Sequence, residues 1–151
     1  MPLTFDHGTQ PPATQRELRL IETLWRIRLP PVYRAFLMSQ NGGVPSLVRF
    51  EAKASSYTIN AFYAIAANQP YDDLCDALYT FYGRVPDDLI PIAYDPYGSQ
   101  FCIGIDGRRF GKIYFWDHAE ESEEESGEYY ENTYLLANSL DEFFAGLSER
   151  R

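Results

Sequence analysis

The sequence is poor in the features that membrane segments and secretory signals require. No stretch of its 151 residues approaches the roughly 20 uninterrupted apolar residues that span a bilayer. Positions 1–6 also lack the basic and apolar regions of a secretory signal. We therefore expect a cytoplasmic protein without a membrane contact.

Cysteine and histidine are scarce, with two residues of each. Cys75 falls in a helix-like stretch and Cys102 in a strand-like stretch, and free cysteine in apolar surroundings usually packs as a small hydrophobe. No Cys-x-x-Cys or His-Glu-x-x-His spacing is present, and Gly42-Gly43 follows a predicted helix instead of opening one, as a phosphate loop would. We predict no metal and no other cofactor.

The shortage of histidine also limits nucleophilic catalysis. One histidine lies near the N-terminus, and the other, His118, follows Asp117, although neighbours on an extended strand point to opposite faces. No G-x-S-x-G elbow occurs. A glycosidase stays open as an alternative, since Asp95 lies near the aromatic residues Tyr97 and Trp116. The main prediction is that the protein is not an enzyme.

The net charge of −9 is concentrated in one segment. Eight of the 22 acidic residues lie between positions 117 and 131, without any Lys or Arg, which leaves 14 acids against 13 basic residues elsewhere. The eight are Asp117, Glu120, Glu121, Glu123, Glu124, Glu125, Glu128 and Glu131. Such a segment repels nucleic acid and anionic lipid and attracts a basic protein. A solvated loop with no binding role is the open alternative.

Helix signals occur near both ends of the chain. Capping boxes are present at positions 14–17 and 139–142, each a Ser or Thr followed three residues later by Glu. After the first, an apolar stripe of helical spacing predicts a buried face, formed by Leu18, Ile21, Leu24 and Trp25. Further helices are predicted over 31–40, after two prolines, and over 71–82.

Strand signals fill the middle of the chain. Runs rich in β-branched and aromatic residues predict strands over 47–50, 58–65, 100–105 and 111–116, the last two paired around Asp106-Gly107. Positions 133–136 predict an edge strand. The fold class is therefore α+β: one domain over 14–151, after a polar leader over 1–13, with a central, mostly antiparallel sheet and helices packed on it.

Four sequence blocks resemble the SUKH superfamily, specifically its Smi/Knr cell-wall-assembly-regulator type. The resemblance runs from Thr14 to Leu147. The blocks are Leu29-Pro30-x-x-Tyr33-x-x-Phe36-Leu37 with Asn41-Gly42-Gly43, then Ile90-Pro91-Ile92-Ala93-x-Asp95-x-x-Gly98, then Gly111-Lys112-Ile113-Tyr114-Phe115-Trp116-Asp117-His118, and Ala137-Asn138-Ser139-Leu140-x-Glu142-Phe143-Phe144.

The resemblance implies an α+β fold with a central antiparallel sheet and a role in binding proteins. Bacterial members of the superfamily are similar to immunity proteins that neutralise toxins, many of them nucleases or deaminases, and a fungal relative regulates cell-wall synthesis. Gly98-Ser99 departs from the Gly-Asn that the family often has. The acidic run lies where the family varies, which fits recognition of a specific partner.

We therefore predict a non-catalytic immunity protein that binds a cognate toxin with a basic surface, as a monomer or homodimer. A housekeeping regulator or scaffold that binds an endogenous protein is the alternative. The predicted partner-binding residues are Trp116, Asp117, Glu120, Glu121, Glu123, Glu124, Glu125, Glu128, Tyr129 and Tyr130.

Overall fold

A computed structural model of the protein describes residues 3–52, 55–121 and 132–149. Over these ranges the chain forms four α-helices and ten short strands arranged in three sheets, and all strand pairs within the sheets are antiparallel. The predicted α+β class is confirmed.

The first helix, α1 (Gln15–Trp25), begins at the predicted capping box. Thr14 accepts a hydrogen bond from the Glu17 N–H, and the Glu17 carboxylate accepts one from the Thr14 N–H. The helix ends at Arg26, which has a left-handed backbone. Leu18 and Ile21 are buried as predicted, but the prediction for Leu24 was wrong: its side chain is 68% exposed, because it lies on the outer side of the helix.

The remaining helices are shorter than their sequence patterns predicted. They are α2 (Pro31–Ser39), α3 (Leu74–Phe81) and α4 (Leu140–Ala145). A single 3-10 turn at Pro70–Asp72 precedes α3, so the first part of the predicted 71–82 helix is not α-helical. Ser139 caps α4 by accepting a hydrogen bond from the Glu142 N–H, as the capping box at positions 139–142 predicts. The second bond of that box differs, because the Glu142 carboxylate accepts from the Asn138 N–H instead of the Ser139 N–H.

A five-stranded sheet forms the centre of the domain. Its strand order is β5-β6-β7-β8-β9, so β7 lies in the middle and β9 at one edge, as predicted for these stretches. A three-stranded sheet has the order β10-β3-β4, and β1 pairs with β2. The strands are β1 (Phe5–His7), β2 (Val44–Pro45), β3 (Arg49–Ala52), β4 (Ser55–Thr58), β5 (Ala61–Phe62), β6 (Leu89–Tyr94), β7 (Gln100–Gly104), β8 (Ile113–Trp116), β9 (Thr133–Ala137) and β10 (Leu147–Ser148).

Two strand predictions differ from the structure in detail. The stretch 58–65 does not form one strand, because the chain leaves the smaller sheet after Thr58 and enters the larger one at Ala61. The β7–β8 connection is not a two-residue turn at Asp106-Gly107. It is a longer loop that contains one 3-10 turn, Gly107–Arg109, capped by the Asp106 carboxylate.

The large sheet has apolar clusters on both faces. Phe101 and Ile103 of β7 point into the main core with α1, α2 and α4, whereas Cys102 points to the opposite face. This alternation is the period-two pattern of a strand buried on both sides. The smaller cluster contains Trp116 and has Phe81 of α3 packed against it.

The segment before α1 packs on the domain. Phe5 of β1 contacts Phe36 and Phe62, with ring centroids 5.7 and 5.8 Å away. β1 pairs with β2, so the described part of the predicted leader contributes to the packed structure. The domain boundary at residue 14 stays a prediction. Within the described ranges, no helix is both long enough and apolar enough to span a membrane.

Candidate protein-binding surface

Four chain segments meet at one end of the large sheet. Gln100 at the start of β7 pairs with Tyr94 at the end of β6 and with Trp116 at the end of β8, which pairs with Thr133 at the start of β9. The turns that leave these strands carry four acids: Asp95, Asp117, Glu120 and Glu121. We call this region the acidic end.

The first acid organises the turn between β6 and β7. One carboxylate oxygen of Asp95 accepts hydrogen bonds from the Tyr97 N–H at 2.9 Å and the Ser99 N–H at 2.8 Å. Gly98 in this turn has a φ of +94°, a left-handed conformation that L-residues rarely adopt. Burial raises the pKa of Asp95, despite these bonds, and the nearby Asp117 carboxylate raises it further.

Ser99 links this turn to the end of β8. Its buried hydroxyl accepts a hydrogen bond from the His118 backbone N–H at 2.9 Å. Asp117 caps the following 3-10 turn, His118–Glu120, by accepting from the Ala119 N–H. Among the described residues, no hydrogen bond joins the Ser99 hydroxyl to the His118 imidazole. The arrangement holds two loops together and does not form a nucleophile–base pair.

Arg84 fixes the beginning of the acidic segment. Its guanidinium donates two hydrogen bonds, each 3.0 Å long, to the carboxylate of Glu121. The guanidinium also lies over the rings of Phe81, at 4.7 Å, and Trp116, at 5.6 Å. Hydrogen bonding to Arg84 lowers the pKa of Glu121, and His118 Nδ1, 3.4 Å from the carboxylate, lowers it further.

The next acid contacts the edge strand. The Tyr134 hydroxyl donates a 2.5 Å hydrogen bond to Glu120, and this contact raises the pKa of Tyr134 to about 12. Within the described ranges no ion pair involves Asp95, Asp117 or Glu120. Among the residues that the structure describes, these three acids at this end have no paired cation.

Asp117 and Asn132 close the base of the segment between β8 and β9. The Asp117 backbone N–H donates to the Asn132 carbonyl at 2.9 Å, and the Asn132 side-chain amide donates to the Asp117 carbonyl at 2.9 Å. The chain therefore enters and leaves the acidic segment at one point beside the sheet.

A groove runs from the acidic end between β4 and the β8–β9 pair. One part, of about 410 Å³, extends from Tyr97 to Asp117, and a wider part, of about 910 Å³, extends from Asp117 to Leu136. The two parts share Ser55, Tyr57, Phe115 and Asp117. Tyr57 packs on Phe115 at 4.5 Å between ring centroids.

Three of the ten predicted site residues lie together on this surface: Asp117, Glu120 and Glu121. Trp116 is completely buried at the end of β8, so its side chain contacts Phe81 instead of solvent. In this conformation its side chain cannot contact a partner, although Trp116 is among the predicted partner-binding residues. The other six lie outside the described residues: Glu123, Glu124, Glu125, Glu128, Tyr129 and Tyr130.

Sequence reasoning missed several members of this surface. Arg84, Tyr57 and Tyr134 lie far from the acidic run in the chain, and the sequence contains no motif that joins them. Only the Asp95-x-x-Gly98 block gave a usable signal, because a carboxylate two or four residues before a backbone N–H often closes a turn. Within the described residues no group of three or more His, Cys, Asp or Glu could hold a metal ion.

Comparison with known proteins matches the chain to one family. The profile of the SMI1 / KNR4 family (SUKH-1) covers residues 12–146. A curated relative from Bacillus subtilis (strain 168), the SPbeta prophage-derived uncharacterized protein YokK, is 35% identical over 89 residues. That match covers 59% of this chain and 41% of the relative, so the chain spans less than half of that protein's length.

Proposed function

Since this chain belongs to the SMI1/KNR4 family (SUKH-1), we propose that it is an immunity protein that neutralises a cognate toxin by binding it. The toxin would be of the nuclease or deaminase type and would act inside the cytoplasm. The protein itself would carry out no reaction.

The acidic end is the observation that carries the proposal. Asp95, Asp117 and Glu120 lie together without an ion pair among the described residues. Enzymes that act on nucleic acid need basic grooves to hold phosphates, and an acidic surface of similar charge density can occupy such a groove. Complementary charge also speeds the encounter, which matters when a toxin must be blocked before it acts.

We propose that the acidic segment continues this surface. Glu123, Glu124, Glu125 and Glu128 would supply further negative charge, and Tyr129 or Tyr130 would be the aromatic anchors, a residue type enriched at binding hot spots. Asp117, Glu120 and Glu121 would form the part closest to the sheet. Trp116 would support this surface from the interior, because its ring packs against Arg84, which binds Glu121.

The prophage origin of the relative also supports an immunity role. Mobile elements commonly carry pairs of genes whose products attack and protect a cell, and a binding protein of this family would suit the protective member. The relative is uncharacterized, so its name supports the proposal only through its prophage origin.

The direct test measures binding to the toxin domain encoded beside this gene. Glu120, Glu121, Glu123, Glu124 and Glu125 are replaced together by Gln, and association is followed at several salt concentrations. We expect the association rate at low salt to fall by about tenfold or more, and the difference from wild type to shrink at high salt. The matched control replaces five acids elsewhere with the corresponding amides: Asp6, Asp76, Asp87, Asp141 and Glu149.

The control variant has the same net charge as the test variant, so it separates local from overall charge. If both variants bind alike, the acidic segment is not the binding surface. If the wild-type protein neither binds the toxin domain nor protects cells that express it, the immunity function is wrong. Recovery of one endogenous protein in its place would favour the regulator or scaffold alternative.

A further inference from the structure

We propose that the groove between β4 and β9 binds an extended segment of the partner protein that carries alternating apolar and basic side chains. The identity of that partner rests on the proposed function, but the groove's preference does not. The inference concerns where a strand-like segment docks and which side chains it needs.

Edge strands form both sides of the groove. In the strand orders of the two sheets, β4 is the last strand of the smaller sheet and β9 the last of the larger one, as far as the described residues show. Four successive residues of β4, Ser55–Thr58, line the narrower part, and three successive residues of β9, 134–136, line the wider part. The wider part is also lined by Phe50, Glu51 and Ala52 of β3, so the groove lies between the two sheets, with the edge strands β4 and β9 beside it.

An exposed edge offers unpaired backbone N–H and C=O groups to an incoming chain. An extended peptide satisfies these groups by adding as a further strand, a recurring mode of peptide recognition. The volume of the wider part of the groove, about 910 Å³, leaves room for such a strand and its side chains. The geometry therefore favours an extended occupant over a helix.

The floor of the groove selects apolar side chains. Phe50, Phe115 and Leu136 line the wider part, and Leu135, which is 52% exposed, forms its rim. A large apolar residue left half in water at the edge of a strand is stabilised when a partner covers it. Alternate side chains of a docked strand would point toward this floor.

The rim of the groove selects basic side chains. Asp117 lies where the two parts of the groove meet, Glu51 and Glu120 line the wider part, and Asp95 lines the narrower one. Neither part is lined by a described Lys or Arg. Tyr97, 84% exposed, lies beside Asp95 and offers an aromatic face on which a guanidinium can stack.

Charge argues against two other occupants. The chain's own acidic segment carries charge of the same sign as the rim, and so does a second copy of the protein, whose net charge is −9. Both would be repelled at low salt. A basic segment of another protein is instead attracted by the acidic rim of the groove.

The test is an NMR titration of the full-length, ¹⁵N-labelled protein with three short peptides. The probe is acetyl-Val-Arg-Val-Arg-amide, the charge control is acetyl-Val-Gln-Val-Gln-amide, and the third peptide is the probe with its Val nitrogens methylated. We expect chemical-shift changes only at the backbone amides of β4, β9 and residues 117–120. The neutral and methylated peptides should each bind at least about fivefold more weakly than the probe.

Matched variants locate the contact. Asp117→Asn keeps the cap of the following turn but removes a rim charge, and Leu135→Ala removes apolar rim surface. Their controls are Asp106→Asn, which caps a 3-10 turn at the opposite end of the sheet, and Leu20→Ala, an exposed leucine of α1. We expect about fivefold weaker peptide binding in the first pair and no change in the controls.

Three outcomes would overturn the proposal. The first is that chemical-shift changes occur on another surface or do not occur, and the second is that the neutral peptide binds as tightly as the probe. The third is that the protein self-associates and that Leu135→Ala abolishes this self-association. The toxin domain separates this inference from the proposed function. Toxin binding that is unaffected by Leu135→Ala and Asp117→Asn would refute the groove and leave the immunity role. A protein that binds the basic peptide in the groove but no toxin would refute the immunity role and support the groove.

Discussion

Arg84 and Glu121 lie 37 positions apart in the chain and meet through two parallel hydrogen bonds of 3.0 Å. The pair connects the loop after α3 to the first residues of the acidic segment. Because a guanidinium that donates from both Nε and Nη2 to one carboxylate has a fixed orientation, the pair also orients the chain where it leaves β8.

Replacing Arg84 with Gln should loosen this connection at a small cost in stability. The side chains of Arg84 and Glu121 are 36% and 23% exposed, so solvent weakens the pair, and we expect a loss of about 1 kcal/mol or less in the free energy of unfolding. Urea denaturation measures it. Arg109→Gln is the control, since Arg109 approaches Asp88 at 3.5 Å at the opposite end of the sheet.

On the proposed immunity function, the two variants should differ more in toxin binding than in stability. Arg84→Gln frees the start of the acidic segment, so we expect faster dissociation of the toxin domain, while Arg109→Gln leaves the surface intact. Equal dissociation rates for both variants and wild type would show that Arg84 does not position the binding surface.

The contribution of Glu121 to stability should depend on pH. Its pKa in the folded protein is lowered from the ordinary 4.5, chiefly by Arg84. A lowered carboxyl pKa stabilises the fold above the ordinary value, and this stabilisation disappears as the pH falls through the folded value. The advantage of Glu121 over a Glu121→Gln variant should therefore be full above the ordinary pKa of 4.5 and disappear as the pH falls through the lowered pKa of the folded protein.

Urea titrations across this range measure the effect of Glu121. They are best made in a His118→Gln background, because His118 Nδ1 also faces the Glu121 carboxylate at 3.4 Å and Arg84 then remains the cation in contact with it. If the stability difference between the Glu121 and Glu121→Gln proteins stayed constant as the pH fell below 4.5, the ionised Glu121 carboxylate would not be the source of the stabilisation.

Asp95→Asn should show the opposite dependence. Burial raises the pKa of Asp95 above the ordinary 3.8, so its ionisation destabilises the folded state as the pH rises through the folded value. Asn keeps an oxygen that can accept from the Tyr97 and Ser99 N–H groups. We expect Asp95→Asn to be more stable than wild type at neutral pH and equal to it near pH ~3.

The same variant should bind the basic peptide more weakly, since it removes an acid from the groove. A stabilising change that reduces binding is typical of residues retained for function. Loss of stability at neutral pH would show that the charge of Asp95 supports the turn itself.

Asn41→Ala tests a polar contact in the core. The buried Asn41 amide donates to the Pro11 and Ile65 carbonyls, at 2.9 and 3.0 Å, and its oxygen accepts from the Ile65 N–H at 2.8 Å. Alanine leaves these backbone groups without a partner, and we expect a loss of about 3 kcal/mol in the free energy of unfolding. Asn138→Ala, at an exposed position, should change it by less than about 0.5 kcal/mol.

Local signals in the sequence predicted much of the fold. Both capping residues, Thr14 and Ser139, begin helices, because the bonds that define such a cap form within four residues. The strands around Cys102 and Tyr114 were recognisable for a similar reason, since runs of apolar and aromatic residues favour a buried sheet whatever its neighbours are.

Long-range packing explains what could not be predicted. Leu24 has the spacing of the buried stripe, but the helices and strands packed against α1 do not reach that side of it. The role of Asn41 depends on Ile65, 24 positions later, and the surface around Asp117 depends on Arg84 and Tyr57. Such contacts arise only when distant segments meet, so a single sequence contains no local pattern for them.

The two hydrogen bonds between Asp117 and Asn132 have an evolutionary consequence. They join the two ends of the segment between β8 and β9, so contacts outside residues 122–131 hold the register of the two strands. The entropic cost of lengthening a loop closed in this way grows only slowly with length. Insertions and exchanges between positions 121 and 132 are therefore expected at small cost in stability, while the sheet beside them is inherited without alteration.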